Sequence, residues 1–268
     1  MDIFQALFLG FVQGITEFIP VSSSGHLELV QHIFNLSPDN FHLFMEFVNF
    51  GTLLALLFYY HDKIWRIIKN VFTERNYRLA INLVITTIPA GIVGLIFASI
   101  IENNSFFSSL YTVSIAMGLV GLLMIFIDKI PHLSPIKNED HLTPARALAI
   151  GLCQIFALVP GVSRSGSTII TGRIVGLDSE SAADYSFLAS IPIMFGVCFK
   201  MFLSESGRVF FAENINSLFF ANLIAFVVGL IALKYVLKYL KKPGSLQTFG
   251  KYRVILSLIV LGVLLTLV

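Results

Sequence analysis

The chain has 268 residues, and its 18 Lys and Arg against 16 Asp and Glu leave a net charge of +2, which gives no general attraction to nucleic acid. Charged residues make up 13% of the chain, where a soluble domain carries about 25%, and the mean hydropathy is +0.83. These values argue against a soluble domain. Because the apolar runs are continuous and do not alternate, they predict an all-α integral membrane protein.

Six stretches are apolar over the length of about 20 residues that a membrane-spanning helix needs. The predicted full spans are residues 41–60, 80–100, 109–127, 183–203, 217–239 and 252–268. Two further apolar regions, 3–30 and 145–177, are interrupted by the runs PVSSSGH and PGVSRSGS, which cannot continue a helix. We expect both regions to be re-entrant helical hairpins, whose irregular backbone is tolerated at membrane depth only where protein or a water-filled cavity surrounds it.

Positive charges predict how the chain is oriented. Most of the Lys and Arg residues lie in segments 61–79, 128–146 and 234–253, whereas segment 101–108 has none. The positive-inside rule therefore places the first three segments on the cytoplasmic side. With this orientation the two hairpins enter the membrane from opposite faces.

The two hairpin regions also resemble each other in sequence. A shift of 141 residues superposes Gly10 on Gly151, Gln13 on Gln154, Val21 on Val162, Ser22 on Ser163, Ser24 on Ser165 and Gly25 on Gly166. Together with the opposite orientations, this predicts a single membrane domain, 1–268, built as an inverted-topology repeat of halves at about 1–128 and 144–268. In such repeats the broken helices meet near the midplane, where we expect the site.

Ionisable residues within apolar regions are costly to bury and by default indicate function. Glu17, His26, Glu46 and Arg164 are of this kind. The guanidinium of Arg164 matches phosphate geometry, and Gly- and Ser-rich turns before a helix offer N–H groups to an anion. The residues of the two turns that we expect to bind the substrate are Ser22, Ser24, Gly25, Ser163, Ser165 and Gly166.

A hydroxyl, a base and a positive clamp point to phosphoryl transfer or hydrolysis. Ser22 to Ser24 lie close before His26, whose imidazole can take or give a proton near neutral pH. Glu17 reaches the same pocket if the chain folds back at Pro20.

Other interpretations fit the same residues. Clusters of Ser and Gly pack membrane helices closely, and Arg164 and Glu17 could form a structural ion pair. Glu46 either lines the cavity or lies at the outer mouth of its helix. A secondary transporter or lipid flippase is the rival function, because inverted repeats with broken helices are typical of that class. The remaining histidines are expected at membrane edges or in loops: His32, His42, His61, His132 and His141.

Two motifs carry a resemblance to a known family. GFVQGITEFIPVSSSGH at 10–26 and PGVSRSGSTI at 160–169 resemble the bacitracin-resistance family of undecaprenyl-diphosphate phosphatases, and FGTLLAL and YSFLASIP follow in the family's order. The resemblance implies removal of the terminal phosphate from a C55 polyprenyl diphosphate, which regenerates the monophosphate carrier for cell-wall synthesis. It also implies a multi-pass protein of the bacterial inner membrane, with its site open to the periplasmic or outer face.

The resemblance carries the family's acidic residue onto Glu17, its serines onto Ser22 and Ser23, its histidine onto His26 and its arginine onto Arg164. We therefore predict Glu17, Ser23, His26 and Arg164 as catalytic. In this prediction Ser23 attacks the phosphorus or positions the attacking water. The sequence leaves both versions open.

A divalent cation, Mg²⁺ or Ca²⁺, is a further implication of the resemblance. The family often has a second acid four residues before Glu17, and this chain has Gln13 there. The expected ligands are therefore Glu17 and the amide oxygen of Gln13, unless a carboxylate such as Glu46 is borrowed. Both a monomer and a homodimer fit the sequence.

Overall fold

Helices form the framework of the computed structural model, which describes residues 2–130, 133–136 and 138–266. These ranges contain no β-strand. His132 and Lys137 lie outside them. Short 3₁₀ helices cover Ile127–Lys129, Glu139–His141 and Ile155–Leu158. The α-helices are α1 (Ile3–Thr16), α2 (Ser23–Phe34), α3 (Pro38–Tyr59), α4 (His61–Phe72), α5 (Arg78–Asn103), α6 (Ser105–Ser108), α7 (Leu110–Ile125), α8 (Pro144–Gln154), α9 (Arg164–Ile174), α10 (Ser179–Leu203), α11 (Glu205–Leu240) and α12 (Ser245–Thr266).

Five helices in the described ranges are long and apolar enough to cross a membrane: α3, α5, α10, α11 and α12. The sixth predicted span, 109–127, is the apolar helix α7, which has only 16 residues. Large apolar side chains such as Leu95 and Leu265 are more than two-thirds exposed, as expected for surfaces that face lipid. The chain is an all-α, multi-pass membrane protein.

Each region predicted as a hairpin is a pair of helices separated by a turn. In the first, α1 ends at Thr16 and α2 begins at Ser23; in the second, α8 and a 3₁₀ turn end at Leu158 and α9 begins at Arg164. We call residues 17–26, the turn with the first residues of α2, the first tip, and residues 159–167, the turn with the first residues of α9, the second tip. The interruptions that the Pro, Ser and Gly runs predict are confirmed.

Helices from the two halves of the sequence pack against each other. The first helix of each broken pair packs on a helix of the other sequence half, α1 on α11 and α8 on α5. The equivalent helices α3 and α10 also contact each other, as do α7 and α12. At the α1–α11 contact a Cβ on Gly10 would collide with the backbone of Ala221, so glycine permits this close approach.

Ion pairs join the three basic segments at one end of the molecule. Lys63 pairs with Glu139 and, at 3.1 Å, with Asp184. Nearby, Lys241 pairs with Glu180 at 2.7 Å. Burial alone would lower the pKa of Lys63, but the two carboxylates outweigh it and raise that pKa above its ordinary value. Segments 61–79, 128–146 and 234–253 therefore each contribute to one polar end.

Candidate active site

Both tips turn into a helix in the same way. Ser22 and Ser163 are the N-caps of α2 and α9, with φ of +76° and +77°. Ser22 Oγ accepts from the N–H of Gly25 at 3.3 Å, and Ser163 Oγ accepts from the N–H of Gly166 at 3.0 Å. An N-cap serine satisfies one of the N–H groups that a helix start leaves without a partner, which compensates for the unfavourable backbone conformation. The sequence similarity of the tips thus extends to their conformation.

Glu17 links the two tips. Its Oε2 accepts from Ser23 Oγ at 2.7 Å and from Gln13 Nε2 at 3.1 Å. Its Oε1 forms an ion pair with Nη2 of Arg164 at the start of α9. Glu17 is buried, whereas Ser23 and Arg164 are partly exposed. Three of the four predicted catalytic side chains therefore meet at one point, and the ion pair that the sequence left as an alternative is formed.

Arg164 keeps part of its guanidinium uncommitted. Nη2, besides its contact with Glu17, lies 3.8 Å from Sδ of Met194. Nη1 is buried and has no hydrogen-bond partner in the described residues. A buried N–H group without a partner is costly. Nη1 is therefore available to an incoming anion.

His26 has other partners than the sequence suggests. Its Nδ1 lies 2.7 Å from the carbonyl oxygen of Ser22, and its Nε2 lies 2.7 Å from the hydroxyl of Tyr252. A carbonyl only accepts, so Nδ1 carries a proton; in the neutral ring Nε2 then accepts from Tyr252. The Ser23 hydroxyl, one of the three that the sequence predicts near His26, donates instead to Glu17. The reason is local: from its position in the first turn of α2, the His26 ring folds back on the cap carbonyl.

The serines and glycines of the tips differ in exposure. Ser24 is partly exposed, whereas Ser22, Ser163 and Ser165 are buried. The Oγ of Ser22 lies 3.2 Å from the Oγ of Ser24, and the Oγ of Ser163 lies 3.2 Å from the Oγ of Ser165. Cβ atoms built at Gly25 and Gly166 would press on Met117 and Met124 of α7. These glycines thus pack the tips against α7. Their part in substrate binding stays a prediction.

The environment of Gln13 bears on the expected cation site. Its Nε2 donates to Glu17 and, at 2.8 Å, to Oδ1 of Asn49, so the amide nitrogen faces the carboxylate. Glu46 lines a separate cavity of about 630 Å³ between α3, α5 and α10. No group of three or more His, Cys, Asp or Glu side chains that could hold a metal occurs in the described part of the chain.

Sequence reasoning missed Asn49, Tyr252 and Arg253. Arg253 belongs both to the basic segment 234–253 and to the predicted span 252–268; in α12 it is fully buried, and its guanidinium donates to backbone carbonyls of both tips. A signal is present, because Arg253 lies within the predicted span 252–268 and a charge inside a membrane helix is rarely incidental. Asn49 and Tyr252 carry no comparable signal.

Comparison with known proteins gives one family. The family model "Bacitracin resistance protein BacA" matches residues 6–259. An undecaprenyl-diphosphatase of Methanococcus maripaludis (strain C6) is 39% identical over 261 residues, covering 96% of this chain and 98% of that protein. Undecaprenyl-diphosphatase 1 of Clostridioides difficile (strain 630) is 36% identical over 267 residues, covering 98% and 96%.

A further relative, an undecaprenyl-diphosphatase of Nitrosomonas europaea, is 34% identical over 257 residues, which are 96% of this chain and 93% of that protein. Residues 6–259, which the family model matches, include both tips and all the side chains of the candidate site. The chain belongs to the BacA family of bacitracin resistance proteins.

Proposed function

We propose that this protein is an undecaprenyl-diphosphatase, which hydrolyses the terminal phosphate of a C55 polyprenyl diphosphate and regenerates the lipid monophosphate for cell-wall synthesis. The observation that carries the proposal is the meeting of Ser23, Glu17 and Arg164 where α2 and α9 begin. A hydroxyl, a carboxylate that accepts its proton and a guanidinium with a spare N–H are the parts that phosphoryl transfer needs. The names of the relatives supply the substrate.

In the serine version of the reaction, Glu17 Oε2 takes the proton of Ser23 as Oγ attacks the terminal phosphorus. The Oγ–P bond forms and the bond from phosphorus to the bridging oxygen breaks, which releases the lipid monophosphate. Glu17 gives up that proton to the departing lipid monophosphate and is ionised again. Water then attacks the phosphoserine and gives a proton to Glu17, the Oγ–P bond breaks, and Glu17 returns the proton to Ser23 Oγ, which leaves Ser23 and inorganic phosphate. In the water version, Glu17 activates water directly and Ser23 orients it. Glu17 thus replaces His26 as the base next to Ser23.

His26 stays the proposed proton carrier, now one step further from the nucleophile. Its Nε2 hydrogen bond with Tyr252 provides a second hydroxyl for passing a proton on. Because Nδ1 is fixed by the Ser22 carbonyl, only Nε2 can exchange a proton without disturbing the first tip.

Binding of the diphosphate is expected to exchange partners at Arg164. A phosphate carries more negative charge than the Glu17 carboxylate and offers the guanidinium two oxygens at once. As Arg164 turns to the phosphate, the Glu17 carboxylate is released from the ion pair and both of its oxygens are available to the nucleophile. The ion pair of the free enzyme is then the resting state of the reaction.

A divalent cation fits this site only with the substrate's help. Glu17 and Gln13 are the protein side chains that could bind the cation. The Gln13 amide would have to rotate so that its oxygen, and not its nitrogen, faces the Glu17 carboxylate. Mg²⁺ is often held by one or two carboxylates together with substrate phosphates, so one carboxylate is compatible with a cation carried by the diphosphate. Such a cation would neutralise charge on the transferring group.

We also infer the arrangement in the membrane: six full spans and two re-entrant hairpins in an inverted-topology repeat, within the bacterial inner membrane and with the site open to the outer face. The matching conformations of the two tips support the repeat. The packing of α1 on α11 and of α8 on α5, each on a helix of the opposite half, also supports it. The ion pairs that join the three basic segments support one common cytoplasmic side. Of the monomer and homodimer, neither is favoured by these contacts.

Release of inorganic phosphate from undecaprenyl diphosphate by the purified protein in detergent tests the function. We expect release in the wild type, with loss in Arg164→Ala and strong reduction in His26→Ala, while a chelator arm tests the cation. Thr248→Ala, an exposed change near the start of α12, serves as the unaffected control. Well-folded wild-type protein without release, with or without Mg²⁺ or Ca²⁺, would refute the proposal and favour a lipid transporter.

Ser23→Ala separates the two versions of the reaction. If the serine attacks, the folded variant loses at least about 10³-fold in kcat, and brief acid quenching of the wild type traps phosphate on the protein. If water attacks, the variant keeps substantial turnover and no phosphoprotein forms.

A further inference from the structure

Arg253 of α12 lies where the two tips meet. Its side chain is 0% exposed. Nη1 donates to the carbonyl of Pro20 in the first tip at 3.2 Å, and Nη2 donates to the carbonyls of Gly161 at 2.7 Å and Val162 at 3.0 Å in the second. Nε donates to the backbone carbonyl of Met117 on α7 at 3.2 Å. One guanidinium therefore connects both tips to the helix they pack on.

The contacts of Arg253 follow the internal similarity of the chain. Pro20 and Gly161 are equivalent under the shift of 141 residues that superposes the tips, and each gives its carbonyl to a different nitrogen of the same guanidinium. Both carbonyls belong to irregular backbone between helices, which has no helical partner to satisfy it. A planar fork of donors can serve two such groups at once, whereas a lysine ammonium acts as a single point.

Stability alone does not account for an arginine at this position. No carboxylate pairs with Arg253 within the ranges that the structure describes. Burial of a charge without a counter-charge is unfavourable, and the hydrogen bonds of Arg253 go to uncharged carbonyls. The arginine is instead suited to fix two backbone turns relative to each other.

We propose that Arg253 is a positioning residue that sets the placement of Arg164 relative to Ser23 and Glu17. The proposal rests on the proposed function, in which the first tip supplies the nucleophile and base and the second supplies the clamp. The direct Glu17–Arg164 link opens when the diphosphate binds. The Arg253 link uses neither of those side chains, so it holds the tips together during the reaction.

Arg253→Lys keeps the charge but replaces the two nitrogens that serve separate tips with one. Because a displacement of about 1 Å between reacting groups costs about 10²-fold in rate, we expect kcat for phosphate release to fall about 10²-fold while KM changes less than about threefold. Ser257→Ala is the matched control: one turn later on α12, Ser257 Oγ donates to the carbonyl of Ser114 on α7 at 2.7 Å. It removes a buried α12–α7 hydrogen bond without touching the tips, and we expect wild-type kcat.

A double-mutant cycle separates positioning from general damage to the fold. If Arg253 acts by placing the Arg164 guanidinium, then Arg253→Lys has little further effect in an Arg164→Lys background, and the double variant is within about threefold of the worse single variant. If the two changes act independently, the losses multiply. A multiplicative result, wild-type kcat in folded Arg253→Lys, or an equal loss in Ser257→Ala would overturn the proposal.

Hydrogen exchange gives a readout that needs no turnover. Arg253→Lys should speed amide exchange in peptides covering 17–25 and 159–166 together, whereas Ser257→Ala should leave both unchanged. Unchanged exchange in both tips would contradict the link even if the wild type released no phosphate, so the two proposals fail separately. If Arg253→Lys does not fold, Arg253→Gln takes its place, since its neutral amide can reach only one tip and carries no buried charge.

Discussion

Glu17→Gln tests whether the Glu17–Arg164 pair is catalytic or only structural. The substitution keeps the shape of the side chain but removes its charge and its ability to take the proton of Ser23. Glu17 is 9% exposed and Arg164 16%, and removal of one partner from a buried pair costs about 3 kcal/mol of unfolding free energy. Both interpretations predict that loss of stability, so stability alone does not separate them.

Activity per folded molecule separates the two interpretations. Loss of a positioned base lowers kcat by about 10²–10⁴-fold, and a 10³-fold fall corresponds to about 4 kcal/mol of activation free energy. We expect folded Glu17→Gln to release phosphate about 10³-fold more slowly than the wild type. Initial rates should be measured well below the melting temperature, on monodisperse protein in detergent.

The chain offers a matched control at its polar end. The Lys63–Glu139 pair has nearly the same exposure, 16% and 8%, but lies away from the tips. Glu139→Gln should lower the unfolding free energy by about 2 kcal/mol, somewhat less because Lys63 keeps Asp184. Its kcat should remain that of the wild type. A folded Glu17→Gln protein as active as Glu139→Gln would refute the catalytic assignment of Glu17.

Three further predictions follow from single contacts. Tyr252→Phe removes the hydrogen bond to His26 and should lower kcat about fivefold, equivalent to about 1 kcal/mol, measured as phosphate release. Gly161→Ala puts a Cβ against the Val113 carbonyl at φ +93° and should cost about 3 kcal/mol of stability, whereas Gly262→Ala, with open space around it, should not. Since the pKa of Lys63 is raised, its contribution to stability is complete below about pH 10 and should be lost as the pH rises further. Thermal unfolding of the wild type and of Lys63→Met as a function of pH measures this loss.

Much of the fold could be predicted because its signals are local. Long apolar runs predict the helices, and the Pro, Ser and Gly runs predict the two breaks to within a few residues. The convergence of Glu17, Ser23 and Arg164 also follows from motifs, because two broken helices that share a sequence pattern are expected to meet. The short helix α7 shows the limit, since an apolar run predicts its presence but not its end.

The hydrogen-bond partners within the site could not be predicted from the sequence in this way. Closeness in sequence suggests that His26 serves Ser23, but the turn at Ser22 directs Ser23 to Glu17 and the imidazole to Tyr252. Tyr252 and Arg253 lie more than two hundred residues from their partners in the first tip. Only the packing of α12 on α7 brings them there, and no periodicity in the sequence encodes that contact.

The packing of α1 and α8 on helices of the opposite sequence half has a consequence for biogenesis. The helix that packs on α1 is α11, about 200 residues further along the chain. A ribosome takes about 10–40 s to synthesise those residues. During that interval α1 and the first tip are in the membrane without their packing partner. A nascent chain stalled before α11 should therefore be a substrate for membrane chaperones and quality-control proteases, and separately expressed halves should accumulate only when they are produced together.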